Sequence, residues 1–116
     1  MNSTVAKLWV DALKSGKYKK GKNKLNNSNK TFCCLGVLCE LAIANGIELE
    51  KIVNDDIKSI KYDDSTIYLP LKVIGWAGMR SKSGIIDKSQ SLVLLNDMNG
   101  TFNEVIEAIE ANVEKL

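Results

Sequence analysis

The stretch "TFCCLGVLCELAIANG", residues 31–46, most constrains what this chain can fold into. From Cys33 to Ala44 its one charged residue is Glu40. Helical spacing puts Cys34, Leu38, Leu41 and Ala42 on one face, and Leu35, Val37 and Cys39 fill much of the rest. A helix that is apolar nearly all round needs cover on every side, so the remainder of the chain has to wrap it. The pattern predicts this central helix over 33–45, with Thr31 as its cap and Asn45-Gly46 as its stop. Gly36 in its middle implies close approach by another element.

The same stretch holds all three cysteines, Cys33, Cys34 and Cys39. A structural zinc site takes four sulphur or nitrogen ligands, and the chain has three cysteines and no histidine. On a helix the three thiols are separated by rotations of about 100°, 140° and 240° and do not converge. They read as small apolar core residues. The missing histidine also excludes a Ser-His-Asp triad or a Cys-His pair within one chain. A lysine or carboxylate base stays open. No metal and no cofactor is expected.

At 116 residues the chain is long enough for one modest core, so a single domain over 1–116 is expected. No apolar run approaches the ~20 residues that span a bilayer. The opening "MNSTVAKLWVDALKSG" carries an acid and amphipathic spacing and does not read as a signal peptide. The expected location is the cytoplasm, where thiols stay reduced.

Around the central helix the pattern predicts a mainly α fold with a small β hairpin or sheet, an α+β domain of four to five helices. A first helix is expected from Ser3 to Ser15, capped by Ser3 or Thr4 and stopped at Gly16. Its apolar face is Val5, Leu8, Trp9, Ala12 and Leu13. "GKYKKGKNKLNNSNKTF" follows as a loop or exposed hairpin. The middle, 47–69, mixes alternation with helical spacing and reads as short strands or irregular structure, with "KYDD" a turn and "STIYL" extended. Strand pairs are placed near 18–32 and 60–69. Pro70 suits the first turn of a helix in which Leu71, Ile74 and Trp76 face the core. "SQSLVLLNDMNG" is a short helix or a strand. "TFNEVIEAIEANVEKL" is a helix with a Thr101–Glu104 capping box, an apolar stripe and an acidic face.

Net charge is only +2 but is unevenly divided. Residues 1–30 hold eight lysines against Asp11, and residues 31–116 hold thirteen acids against eight basic residues. Such polarity favours an anionic ligand on the basic part or association between copies. The candidate ligand-binding residues are Lys17, Tyr18, Lys20, Lys22, Trp76, Arg80, Asn96 and Asp97. Lysines and Arg80, the sole arginine, suit phosphates. Tyr18 or Trp76 suits a base, and Asn96 and Asp97 suit base edges or ribose hydroxyls. Each has a competing structural reading: the lysine loop as a solvated hairpin, Asn96-Asp97 as turn formers. Extended nucleic acid is disfavoured, since base-reading surfaces favour arginine.

The strings "WVDALKSGKY", "FCCLGVLCE", "LP…WAG", "LND" and "TFNEV" stand in that order from residue 9 to about residue 110. Together they resemble a family of small proteins encoded by phages and prophages. The resemblance implies an accessory protein, of the kind that disarms host defence by binding a defence protein or sequestering its nucleotide signal. With the residues above, the expectation is a non-enzymatic counter-defence protein of the infected bacterial cytoplasm. It would bind a cyclic oligonucleotide or cyclic ADP-ribose-type messenger, as a homo-oligomer. The alternatives are an inhibitor that contacts a host protein through the acidic last helix, and a small nucleotide-processing enzyme with Asp or Lys as base.

Overall fold

The computed structural model describes residues 1–116. Five helices and two two-stranded sheets follow in chain order. These are α1 (Ser3–Lys14), β1 (Lys19–Lys20), β2 (Thr31–Phe32), α2 (Cys34–Ala44), β3 (Lys51–Asn54), β4 (Ser59–Tyr62), α3 (Leu71–Ala77), α4 (Leu92–Met98) and α5 (Asn103–Asn112). They form a single α+β domain around α2. Every residue from Cys33 to Cys39 is buried. Helices α1, α3 and α4 pack around α2, and α5 closes the outside against α1 and α4.

Helix α1 begins one residue earlier in its capping than the spacing implied. Asn2 Oδ1 accepts from the Val5 amide at 3.0 Å, so Asn2 is the cap in place of Ser3 or Thr4. Gly16, at φ +76°, ends the helix in the left-handed region as expected. The buried face is Val5, Ala6, Trp9, Val10 and Leu13, which turns Leu8 partly to solvent. Trp9 sets that rotation, because its indole N–H donates across to the Cys34 carbonyl at 2.9 Å.

The strands fall partly where the pattern put them. β1 and β2 pair in parallel, Lys19 with Thr31 and Lys20 with Phe32, inside 18–32. The second pair is an antiparallel hairpin reaching back to Lys51, with Lys51 opposite Tyr62 and Asn54 opposite Ser59. Residues 63–69 form no further strand: a turn leads to a single bridge from Ser65 back to Tyr62, and bends follow.

Helix α3 starts after Pro70 and stops at Gly78, at φ +66°. It faces the core through Val73 and Ala77, one turn apart. Leu71, expected inside, is 86% exposed, and Ile74 and Trp76 are half-buried. The buried flanks Leu69 and Met79 hold the chain at that rotation. α4 is a helix and not a strand: Leu92 and Asn96, four apart, are its buried residues, and Ser91 Oγ accepts from the Leu94 amide. Phe102, at the cap of α5, and Val105, Ile106 and Ile109 within it are buried. Thr101 Oγ1 accepts from the Asn103 amide at 3.3 Å and lies 3.5 Å from Glu104 Oε2, a looser arrangement than a reciprocal box. No helix is long and apolar enough to cross a membrane.

Candidate functional site: a polar cleft beside the lysine–asparagine loop

The polar segment between α1 and α2 is fastened at two places. The first is Leu25, fully buried, whose backbone lies directly over Gly36 of α2. A Cβ at position 36 would overlap the Leu25 carbonyl oxygen, so only glycine admits this crossing. The Leu25 amide donates to the Thr66 carbonyl at 2.8 Å, and the Asn26 carbonyl accepts from the Ile60 amide at 3.0 Å. Asn26 Nδ2 donates to the Tyr62 hydroxyl at 3.0 Å, and that hydroxyl donates to Glu40 Oε2 at 2.6 Å. Lys51 Nζ completes the chain at 2.9 Å from the same carboxylate oxygen. Burial, then the hydrogen bond to Glu40, pushes the Tyr62 phenol well above its ordinary range. Glu40 is thus the one acid the apolar helix carries because a buried tyrosine and a lysine converge on it.

The second fastening is Asn96 of α4. Its side chain is fully buried. Oδ1 accepts from the Cys34 amide at 3.0 Å, capping α2 from another helix, so Thr31 is not the cap. Thr31 is drawn into β2 instead. Asn96 Nδ2 donates to the Gly21 carbonyl and to Asp97 Oδ1, both at 3.0 Å. Asp97 Oδ1 also accepts from the Asn23 amide at 3.1 Å. One amide side chain therefore ties the cysteine helix, the loop and the end of α4 together.

Between these fastenings lies an open cleft of about 600 Å³. It is lined by Lys20, Gly21, Lys22, Asn23, Asn27, Asn29 and Thr31 from the loop and Asp97, Met98, Asn99 and Gly100 from the end of α4. Asparagines shape the loop locally. Asn26 Oδ1 accepts from the Ser28 amide and Asn29 Oδ1 from the Thr31 amide. Asn23, Ser28 and Lys30 sit at φ +72°, +51° and +68°, a concentration of left-handed backbone that asparagine tolerates best.

Several polar atoms of the lining residues have no protein partner, both side-chain atoms of Asn23 among them. Asn27 Nδ2 is held by the Lys22 carbonyl and Asn99 Nδ2 by the Leu95 carbonyl, which leaves each Oδ1 open. Asn29 keeps its Nδ2 and Asp97 its Oδ2. Lys20 Nζ makes one long bond, 3.4 Å to the Gly21 carbonyl. Partial burial lowers the pKa of Lys20 from its ordinary value, against an opposing pull from Asp97.

Of the residues singled out from sequence, Lys20, Lys22 and Asp97 line this cleft and Asn96 stands directly behind its wall. Lys17 and Tyr18 lie outside the lining. The Tyr18 ring packs edge-on against Phe32, centroids 5.4 Å apart, with the Lys17 ammonium 5.6 Å from its centre. Trp76 lines a separate groove with Ile47, Glu48 and Lys72. Arg80 is exposed, and its amide donates to the Leu116 carbonyl. The cysteines are buried, as their spacing implied. Burial pushes the Cys33 thiol up to about 11 and the other two in the same direction. Sequence reading missed Asn23, Asn27, Asn29, Thr31 and Asn99 as lining residues. The signal available was four asparagines interleaved with the lysines, read there as turn chemistry alone.

Fold and site together define a small α+β domain built on a buried cysteine-rich helix, with one lysine-edged, amide-lined cleft. The chain belongs to the DUF8296 family, a domain of unknown function, whose model matches residues 1–113. No curated protein and no solved structure matches it.

Proposed function

We propose that the chain binds and sequesters a small, phosphate-bearing nucleotide messenger, of the cyclic oligonucleotide or cyclic ADP-ribose type, without cleaving it. The carrying observation is the cleft, which gathers Lys20, Lys22 and Asp97 with four asparagines and a threonine from two distant parts of the chain. Its volume falls in the ~300–1,000 Å³ range of small-molecule sites. Two ammonium groups supply the attraction for phosphate. The lining carries a single carboxylate, Asp97, with no histidine, cysteine or second acid to pair with it as general acid and base. That supports holding over cleaving. The resemblance to phage and prophage proteins supplies the setting, counter-defence in the bacterial cytoplasm.

The polarised charge favours a homo-oligomer in which an acidic surface of one copy approaches the lysine loop of the next. A thermal-shift panel of cyclic di- and trinucleotides and cyclic ADP-ribose isomers tests the reading. A ligand that raises the melting temperature and is recovered intact after heating supports it. If none shifts the transition, the reading fails. The exposed acidic row Glu104, Glu107, Glu110 and Glu114 on and after α5 then becomes the bait surface for host-protein pull-down.

A further inference from the structure

We infer that this cleft reads the phosphate and hydroxyl groups of its ligand and leaves the base unread. The inference rests on the binding reading above and narrows it. Ligand sites are ordinarily lined mostly by apolar and aromatic side chains. This lining has one apolar member, Met98, and no ring. Proteins that hold bases without pairing them use flat aromatic faces to stack on. The two rings next to the lining in sequence, Tyr18 and Phe32, are packed edge-on against each other. Trp76 belongs to another groove.

What the cleft does offer divides into two kinds of group. Lys20, Lys22 and the free Nδ2 of Asn29 are donors, suited to phosphate oxygens. The free Oδ1 of Asn27, Oδ1 of Asn99 and Oδ2 of Asp97 are acceptors, suited to hydroxyl protons. A pentose phosphate presents both. Asn23 of the loop leaves its whole side-chain amide free and offers one group of each kind. The side-chain donors come from the loop alone and two of the four acceptors, on Asn99 and Asp97, from the end of α4, so a ligand bridges the two walls with phosphate toward the loop.

The test uses pairs of ligands that differ only in the base: cyclic di-AMP with cyclic di-GMP, and cyclic ADP-ribose with its hypoxanthine counterpart. Titration calorimetry gives the affinity of each, with pyrophosphate as competitor. The expected result is that members of the bound pair agree within about threefold, since a single base-edge contact would separate them by about fivefold or more. Pyrophosphate displaces the nucleotide, and Lys20→Gln/Lys22→Gln weakens both members equally. A preference above about fivefold within a bound pair overturns the inference while leaving the binding reading in place. Binding that pyrophosphate does not compete away also overturns it. If neither pair binds at millimolar concentration, the binding reading and the inference fall together.

Discussion

Helix α2 and the loop at 17–32 are neighbours in sequence and opposites in composition. The helix carries one charge, and the loop carries six lysines and four asparagines. The helix is ordered by burial on all sides, which, Gly36 and Glu40 apart, needs little of any single residue beyond being apolar. The loop buries few side chains, so its order depends on a handful of particular contacts: Leu25 over Gly36, Asn26 on Tyr62, and Gly21 on Asn96. The segment with the conspicuous cysteines is therefore scaffold. The segment of low complexity is the one that keeps polar atoms free for something else. Perturbing the first should cost stability, and perturbing the tip of the second should cost only what the cleft does.

The sharpest way to break this contrast is alkaline pH. Unfolded thiols ionise near ~8.5. In the folded chain Cys33 is held to about 11 and Cys34 and Cys39 are raised in the same sense, with burial the first cause. Between those values the native state keeps protons that the unfolded state releases. Stability present below the unfolded value is therefore lost as pH rises toward the folded one, by about 1.4 kcal/mol per unit for each buried thiol. Urea midpoints measured from pH 7 to 10 should fall steeply above the ordinary thiol value, and native thiols should resist a disulfide reagent until then. A flat profile would place the cysteines at the surface and remove the scaffold reading.

Next in size is Gly36→Ala. The added methyl meets backbone, not a flexible side chain, so the Leu25 crossing must lift. Overpacking of this kind costs about 3 kcal/mol, which in a domain this small lowers the melting temperature by roughly 12 °C or more. An unchanged melting curve would mean that loop and helix are not interlocked. Asn96→Ala should follow at about 2 kcal/mol, because it strands the buried Cys34 amide and the Gly21 carbonyl together. Asn96→Asp keeps the acceptor for Cys34 but turns a buried carboxylate oxygen on the Gly21 carbonyl and on Asp97, so its denaturation midpoint should lie no higher than that of Asn96→Ala. A midpoint equal to wild type in either variant would refute the tie between α2, loop and α4.

How much of this was legible in the sequence follows from the same contrast. Burial writes itself into composition, so the buried spine, the close approach at Gly36 and the stops at Gly16 and Asn45-Gly46 could be read directly. Rotations were less legible. Leu8 and Leu71 look as apolar as their neighbours, and what turns them outward is a partner elsewhere: the Trp9–Cys34 bond for one, the anchoring of Leu69 and Met79 for the other. Long-range caps were illegible for the same reason. Thr31 precedes the helix and looks like its cap, yet the atom that caps it comes from Asn96, 62 residues away. In the cleft, Lys20, Lys22 and Asp97 were legible as charge and corner. The asparagines were not, since the same side chain serves a turn with one atom and faces outward with the other.

The smallest expected stability change sharpens the comparison most. Lys20→Gln/Lys22→Gln alters two lining residues that fasten nothing: Lys22 has no side-chain bond and Lys20 has only its long contact to Gly21. Surface substitutions of this kind move stability by no more than about 0.5 kcal/mol. The pair should therefore melt with wild type while losing affinity for any phosphate-bearing ligand. Wild-type affinity should also decline with rising pH, because the lowered Lys20 pKa brings deprotonation of its ammonium before that of an ordinary lysine. That decline should be flatter in Lys20→Gln alone, where the remaining cation is Lys22. A double variant that unfolds would make the loop tip part of the scaffold after all. One that melts normally and binds normally would show the cleft to be lined with lysines that no ligand uses.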